Sequence, residues 1–157
     1  MDGAAYSAAL LNAEYVWSWC HPARRHHVVV HAISEEGIAA MTAAIDPSVP
    51  PSGTGCAECD AAGGWWVHLR RCAACGHIGC CDDSLARHAT AHWRESGHPI
   101  IRSFEPGEDW FWDYDANNYY EGPKLAPPEC HPLDQAVPGP GGRVPRNWAD
   151  LLGQRNG

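Results

Sequence analysis

Two Cys-x2-Cys pairs, Cys56/Cys59 and Cys72/Cys75, lie within one stretch of twenty residues. That spacing lets both sulfurs of a pair reach one tetrahedral ion at about 2.3 Å while the backbone turns around it. More ligand types follow at Cys80 (with Cys81 beside it), His88, His92 and His98. His88 and His92 stand at i and i+4, on one face of a helix. Eight good ligands between residues 56 and 98 amount to two closed four-ligand sites. Closed sites containing thiolate are structural zinc sites, since no position is left open for water. The expected cofactor is therefore Zn2+, two ions.

Other chemistries fail on detail. The segment HATAH (His88 to His92) has the histidine spacing of a zinc protease, but Ala89 stands where the general-base Glu belongs. A nucleoside deaminase needs His-x-Glu followed by Pro-Cys-x2-Cys, and here Gly55 and Arg71 precede the two knuckles. A thioredoxin-like role for Cys72 and Cys75 lacks its βαβ frame and leaves the other ligands unexplained. Cys81 near His77 is the one nucleophile–base candidate, and a buried thiol is the simpler account of it. The set Cys72, Cys75, His88 and His92 has the spacing of a DNA-reading finger. It orphans Cys56, Cys59, Cys80 and His98, and Asp82 and Asp83 would repel phosphates. The chain is read as no enzyme.

Composition agrees. The 157 residues carry 11 Lys plus Arg against 19 Asp plus Glu, a formal charge of −8. That balance argues against nucleic acid and against an anionic membrane surface as partners. No apolar run approaches the roughly 18 residues of a membrane span. The N-terminus lacks a basic n-region, so a cysteine-rich chain with no secretory signal reads as a cytoplasmic metal binder rather than a disulfide protein. With 2 Phe and 2 Met, an aliphatic core would be small, and metal staples would offset the deficit.

The ligands need elements to hold them. Residues 56–120 form the expected domain. Residues 1–44 read as an N-terminal extension, with Val28–Ala32 a short strand and Ile38–Ala44 a short helix. Met41 opens MTAAIDPSVPPSGTG, which reads either as the true start or as part of an ordinary tail. Residues 45–55, with three Pro and two Gly, read as a linker, and 121–157 as a Pro/Gly-rich tail in which Pro145–Leu152 makes a helical turn. Inside the domain, Trp65–Leu69, Pro99–Phe104 and Trp110–Tyr114 are strand candidates. Ser84 is a helix N-cap candidate for Leu85 to about Glu95, stopped by Gly97 and Pro99. The expected fold class is α+β: a small zinc-stabilised domain with a short antiparallel sheet, one main helix and irregular arms.

The series C-A-E-C (56–59), W-V-H-L-R-R-C-A-A-C-G-H-I-G-C (66–80), H-A-T-A-H (88–92), G-H-P-I (97–100) and W-D-Y (112–114) resembles the UBP-type zinc finger. This is the ubiquitin-binding module of several ubiquitin-specific proteases and of a cytoplasmic histone deacetylase. The likeness is greatest to short stand-alone bacterial members. The resemblance implies two interleaved sites, with Cys56 and Cys59 joined by Cys80 and His88, and Cys72 and Cys75 joined by His92 and His98. Cys80 keeps the family spacing from Cys75, and Cys81 keeps the spacing to His88, so Cys81 is the alternative ligand. Some members hold a third zinc. Here Cys20–His21 lies upstream, but Asp113 stands where a Cys would be, so no third site is expected, and Cys130–His131 reads as a free pair.

The resemblance also implies a partner. Family members that bind ubiquitin take a free C-terminal Gly-Gly in an aromatic pocket, and Trp112, Tyr114 and Tyr119 match its ring positions. Flat rings suit a tail without side chains, and a phenol can hydrogen-bond its backbone. Trp66 resembles the upstream Trp and reads as core. The family's Arg after the zinc Cys is missing, and Asp82 and Asp83 occupy its neighbourhood. Arg70, Arg71 or Arg102 can replace it only where the fold brings them close. The expected function is a zinc-binding, non-catalytic protein-interaction module that takes a peptide or C-terminal tail. The alternatives are a purely structural zinc domain in a larger assembly and a nucleic-acid-binding finger.

Overall fold

Short apolar runs cut by Gly and Pro can make only short strands, and five of them pair in the computed structural model, which describes residues 44–154. They are β1 (Leu69–Cys72), β2 (Ile78–Cys80), β3 (Ile100–Ser103), β4 (Trp110–Asp113) and β5 (Asn118–Glu121). All pairings are antiparallel, in the order β2-β1-β3-β4-β5. Among the described residues three helices accompany them: α1 (Ala57–Ala62), α2 (His88–Ser96) and α3 (Trp148–Gly153). The fold is a small α+β domain.

Register sets the two faces of the sheet. Arg71 lies opposite Arg102, and Arg102 opposite Phe111, so these share one face. Arg70, Ile101, Trp112 and Tyr119 share the other. Gly79, opposite Arg70, lets the start of α2 pack directly on β2. A Cβ at Gly79 would lie 2.6 Å from the Ala89 backbone nitrogen. Two apolar clusters fill the interior. One joins Trp66, Leu69, Ile78 and Phe104 to Cys56, Cys59 and Cys80, and the other joins Ile45, Ala73, Ile100, Phe111 and Leu125.

Several elements differ from the sequence reading. The strand expected at Trp65–Leu69 begins only at Leu69, because Trp66 pairs instead with Gly139 through two backbone hydrogen bonds of 2.8 and 3.0 Å. The helix expected from Leu85 begins at His88. Ser84 does not cap it, since its buried hydroxyl accepts the Val67 N–H at 2.9 Å. Gly97 ends the helix in a left-handed conformation, φ 73°, as its position suggests. The segment read as a linker is bonded to the finger: Asp46 N–H donates to the Ala73 carbonyl at 2.9 Å and Ser52 N–H to that of Gly76 at 2.8 Å. The tail is bonded too, with His131 N–H on the Phe104 carbonyl at 2.9 Å. Its helical turn forms as α3. The strand, helix and start proposed upstream, at Val28–Ala32, Ile38–Ala44 and Met41, lie outside the described residues except for Ala44.

Candidate metal centre

Cys72 ends β1 and Cys75 lies in the turn before β2, which ends at Cys80, while Cys56 stands at the start of α1 with Cys59 inside it and α2 begins at His88. This brings Cys56, Cys59, Cys80 and His88 together, each offering a ligand atom within 4.8 Å of the others. The sulfurs of Cys56, Cys59 and Cys80 lie 3.2, 3.4 and 3.5 Å from His88 Nδ1, and Cys59 and Cys80 are 4.0 Å apart. Tetrahedral zinc requires edges of about 3.8 Å between sulfurs and about 3.5 Å from sulfur to nitrogen. The donor set therefore fits a zinc ion. Cys72, Cys75, His92 and His98 form a second such group, with Cys75 Sγ 3.3 Å from His92 Nε2. His98 Nδ1 is buried with no hydrogen-bonding partner, as befits a nitrogen whose partner is a metal. Each cluster can hold one zinc.

The clustered thiols differ in acidity, and an ion must displace the protons of those that burial and neighbouring sulfurs raise. Hydrogen bonds from Cys56 and Cys59 hold the Cys80 thiol down to about 4, while the contacts with Cys56 and Cys80, then burial, push Cys59 far up. Burial pushes Cys72 up to about 11. Burial, then the neighbouring His77 and His98, lower His92, which favours the neutral imidazole a metal requires. The first cluster has three buried cysteines, whereas Cys75 of the second is exposed.

The alternatives separate. Cys81 is in neither cluster; it is buried with its sulfur 3.5 Å from the Ser84 hydroxyl. His77 faces Glu58 at 2.6 Å. The set with DNA-finger spacing is divided, since His88 joins the first cluster and Cys72, Cys75 and His92 the second. Asp113 is buried and caps a turn, its Oδ1 accepting the Asp115 and Ala116 N–H groups at 2.8 and 3.0 Å. Cys20–His21 lies outside the described residues. His131 is buried, its Nε2 2.8 Å from Glu105 and its Nδ1 2.8 Å from the Pro132 carbonyl.

The aromatic residues are split. Trp112 and Tyr119 meet edge to face at 4.5 Å, and Trp110, which the sequence reading did not single out for a site, meets Tyr119 at 5.3 Å. The two-residue period of β4 puts Trp110 and Trp112 on one face, and that was its available signal. Tyr114 stacks instead on Trp93 of α2 at 4.8 Å, and burial pushes its phenol up to about 12. Trp66 is in the core. Of the three substitute arginines, Arg70 reaches this face, its guanidinium 4.7 Å over the Trp110 ring. Arg71 and Arg102 are buried on the other face against carbonyls of Ala126 and Glu129 at 2.7 and 2.6 Å. Asp82 accepts the Thr90 hydroxyl. Among the described residues, no helix is long and apolar enough to cross a membrane.

The sequence model of the family described as "Zn-finger in ubiquitin-hydrolases and other protein" matches residues 56–125. The solution NMR structure of a protein from Rhodopseudomonas palustris is similar at 42% identity, covering 62% of this chain and 92% of that one with a TM-score of 0.50. No curated protein matches.

Proposed function

The chain belongs to the family of zinc fingers in ubiquitin-hydrolases and other proteins, and from that premise we propose that it is a non-catalytic protein-interaction module that reads a peptide or C-terminal tail. In this reading one zinc is held by Cys56, Cys59, Cys80 and His88 and the other by Cys72, Cys75, His92 and His98. With four protein ligands each, the ions have no open position and act as scaffold. The module works in the cytoplasm and takes a protein partner rather than nucleic acid or membrane.

The observation that carries the reading is the face where Trp110, Trp112 and Tyr119 stand together beside Arg70. Half-exposed rings offer flat contact to a backbone, and a guanidinium among them supplies the cation a terminal carboxylate needs. Arg70 thus takes over the role that Asp82 cannot fill. The test is a fluorescence titration of the zinc-loaded chain with a peptide ending in free Gly-Gly, with its C-amidated form as control. Binding of the free acid, weakened about tenfold by amidation and by Arg70→Ala, is expected. No binding to either form would end the tail-reader proposal and leave a structural zinc domain of a larger assembly.

A further inference from the structure

Each Cys-x2-Cys knuckle has a polar residue that is not a ligand in the zinc reading above. Glu58 lies between Cys56 and Cys59, in the first turn of α1, and His77 follows Cys75 by two residues. The two meet: His77 Nε2 and Glu58 Oε1 are 2.6 Å apart. Glu58 Oε2 accepts the Cys56 thiol at 3.4 Å. The His77 ring lies flat on that of His92, with centroids 4.2 Å apart and planes within 11°. With Cys56 ligated as a thiolate, the run from the first cluster to the second goes along the first turn of α1 to Glu58 and on through His77 to His92.

We propose that Glu58 and His77 are positioning residues that couple the two clusters, so that an ion in one orders the ligands of the other and both load together. An ion on Cys56 and Cys59 fixes the turn of α1 between them, and with it the Glu58 carboxylate. The carboxylate holds His77, and the stacked His77 ring restricts rotation of His92, whose Nε2 must stay aimed at the site shared with Cys75. Outer partners of this kind set how well a ligand is presented to its metal. By linkage the effect is reciprocal, so an ion in the second cluster favours the first by the same factor. The shared sheet also ties the clusters together, but that connection survives removal of either side chain. The inference is independent of what the aromatic face binds.

Cobalt(II) in place of zinc tests it, because a three-sulfur and a two-sulfur donor set absorb differently and each cluster is seen separately. In the unmodified chain, titrated against a competing chelator, both absorptions should rise together. In Glu58→Ala the three-sulfur signal should rise first and the affinity of the two-sulfur cluster should fall about tenfold. His77→Phe keeps a ring over His92 but cannot reach Glu58, and it should behave like Glu58→Ala. The double variant should lose no more than either single one. Far-UV circular dichroism of the loaded variants separates lost coupling from lost fold. Joint loading with unchanged affinity in both single variants would overturn the proposal, as would losses that add in the double variant.

Discussion

Removing the Glu105 carboxylate should destabilise the finger by an amount that two separate arguments place at about 3 kcal/mol. Glu105 is buried, and its Oε1 accepts the Leu69 N–H at 2.7 Å. Its Oε2 lies 2.8 Å from His131 Nε2 and 3.7 Å from His68 Nδ1. Burial pushes its pKa up, but the nearby His68 ring and hydrogen bonds from the Leu69 N–H and His131 outweigh this and bring it from 4.5 to about 2. A depressed carboxylate contributes stability that is fully present above its unfolded value, near 4.5, and is lost as pH falls through about 2. The shift corresponds to roughly 3 kcal/mol at neutral pH. Orphaning the buried Leu69 N–H and His131 Nε2 together independently predicts about 2–6 kcal/mol for Glu105→Ala. Glu105→Gln keeps an acceptor for Leu69 but drops the charge, so about half that loss is expected. Urea unfolding of the zinc-loaded protein at pH 7 measures both. A Glu105→Ala variant within about 1 kcal/mol of the parent would refute the view that this carboxylate ties the tail to the sheet.

The two clusters make further predictions. Exhaustive chelation should unfold residues 56–120, read as loss of far-UV circular dichroism. Cys80→Ser should cost one bound zinc per chain by metal analysis, while Cys81→Ser should keep both; the reverse result would move the ligand register by one residue. Gly79→Ala sets a methyl against the backbone of α2, 2.6 Å from Ala89 N, and should lower stability by about 3 kcal/mol in the same urea assay.

How much of this the sequence discloses depends on the kind of interaction. Metal ligation accepts few residue types at tight spacings, so the residues that cluster stand out as Cys and His in a series. Gly97 likewise announces its left-handed turn. The start of α2 is different. Ser84 has the right chemistry for an N-cap, but the Val67 N–H claims its hydroxyl across 17 residues of sequence. Strand β5 hides in a polar run and is held by Tyr119 and Tyr120 against the rings of Trp112 and Phe111. The flanking segments bond largely through backbone groups, which composition does not reveal. Arg70 could be placed near the rings only once the β1–β3–β4 register was known.

Arg71 carries a consequence for how the chain acquires its structure. Its guanidinium is buried, and its terminal nitrogens donate to carbonyls of Val49, made 22 residues before it, and of Ala126, made 55 residues after, while its Nε–H finds no partner among the described residues. An interior cation cannot be left without acceptors. The sheet can therefore close only when a segment beyond the last strand has emerged and returned, which gives a small domain the slow, non-local assembly of a larger one. A fragment ending at residue 120 would hold every cysteine and histidine of both clusters and still lack the carbonyl that Arg71 needs, so its metal could be bound by a chain that never settles.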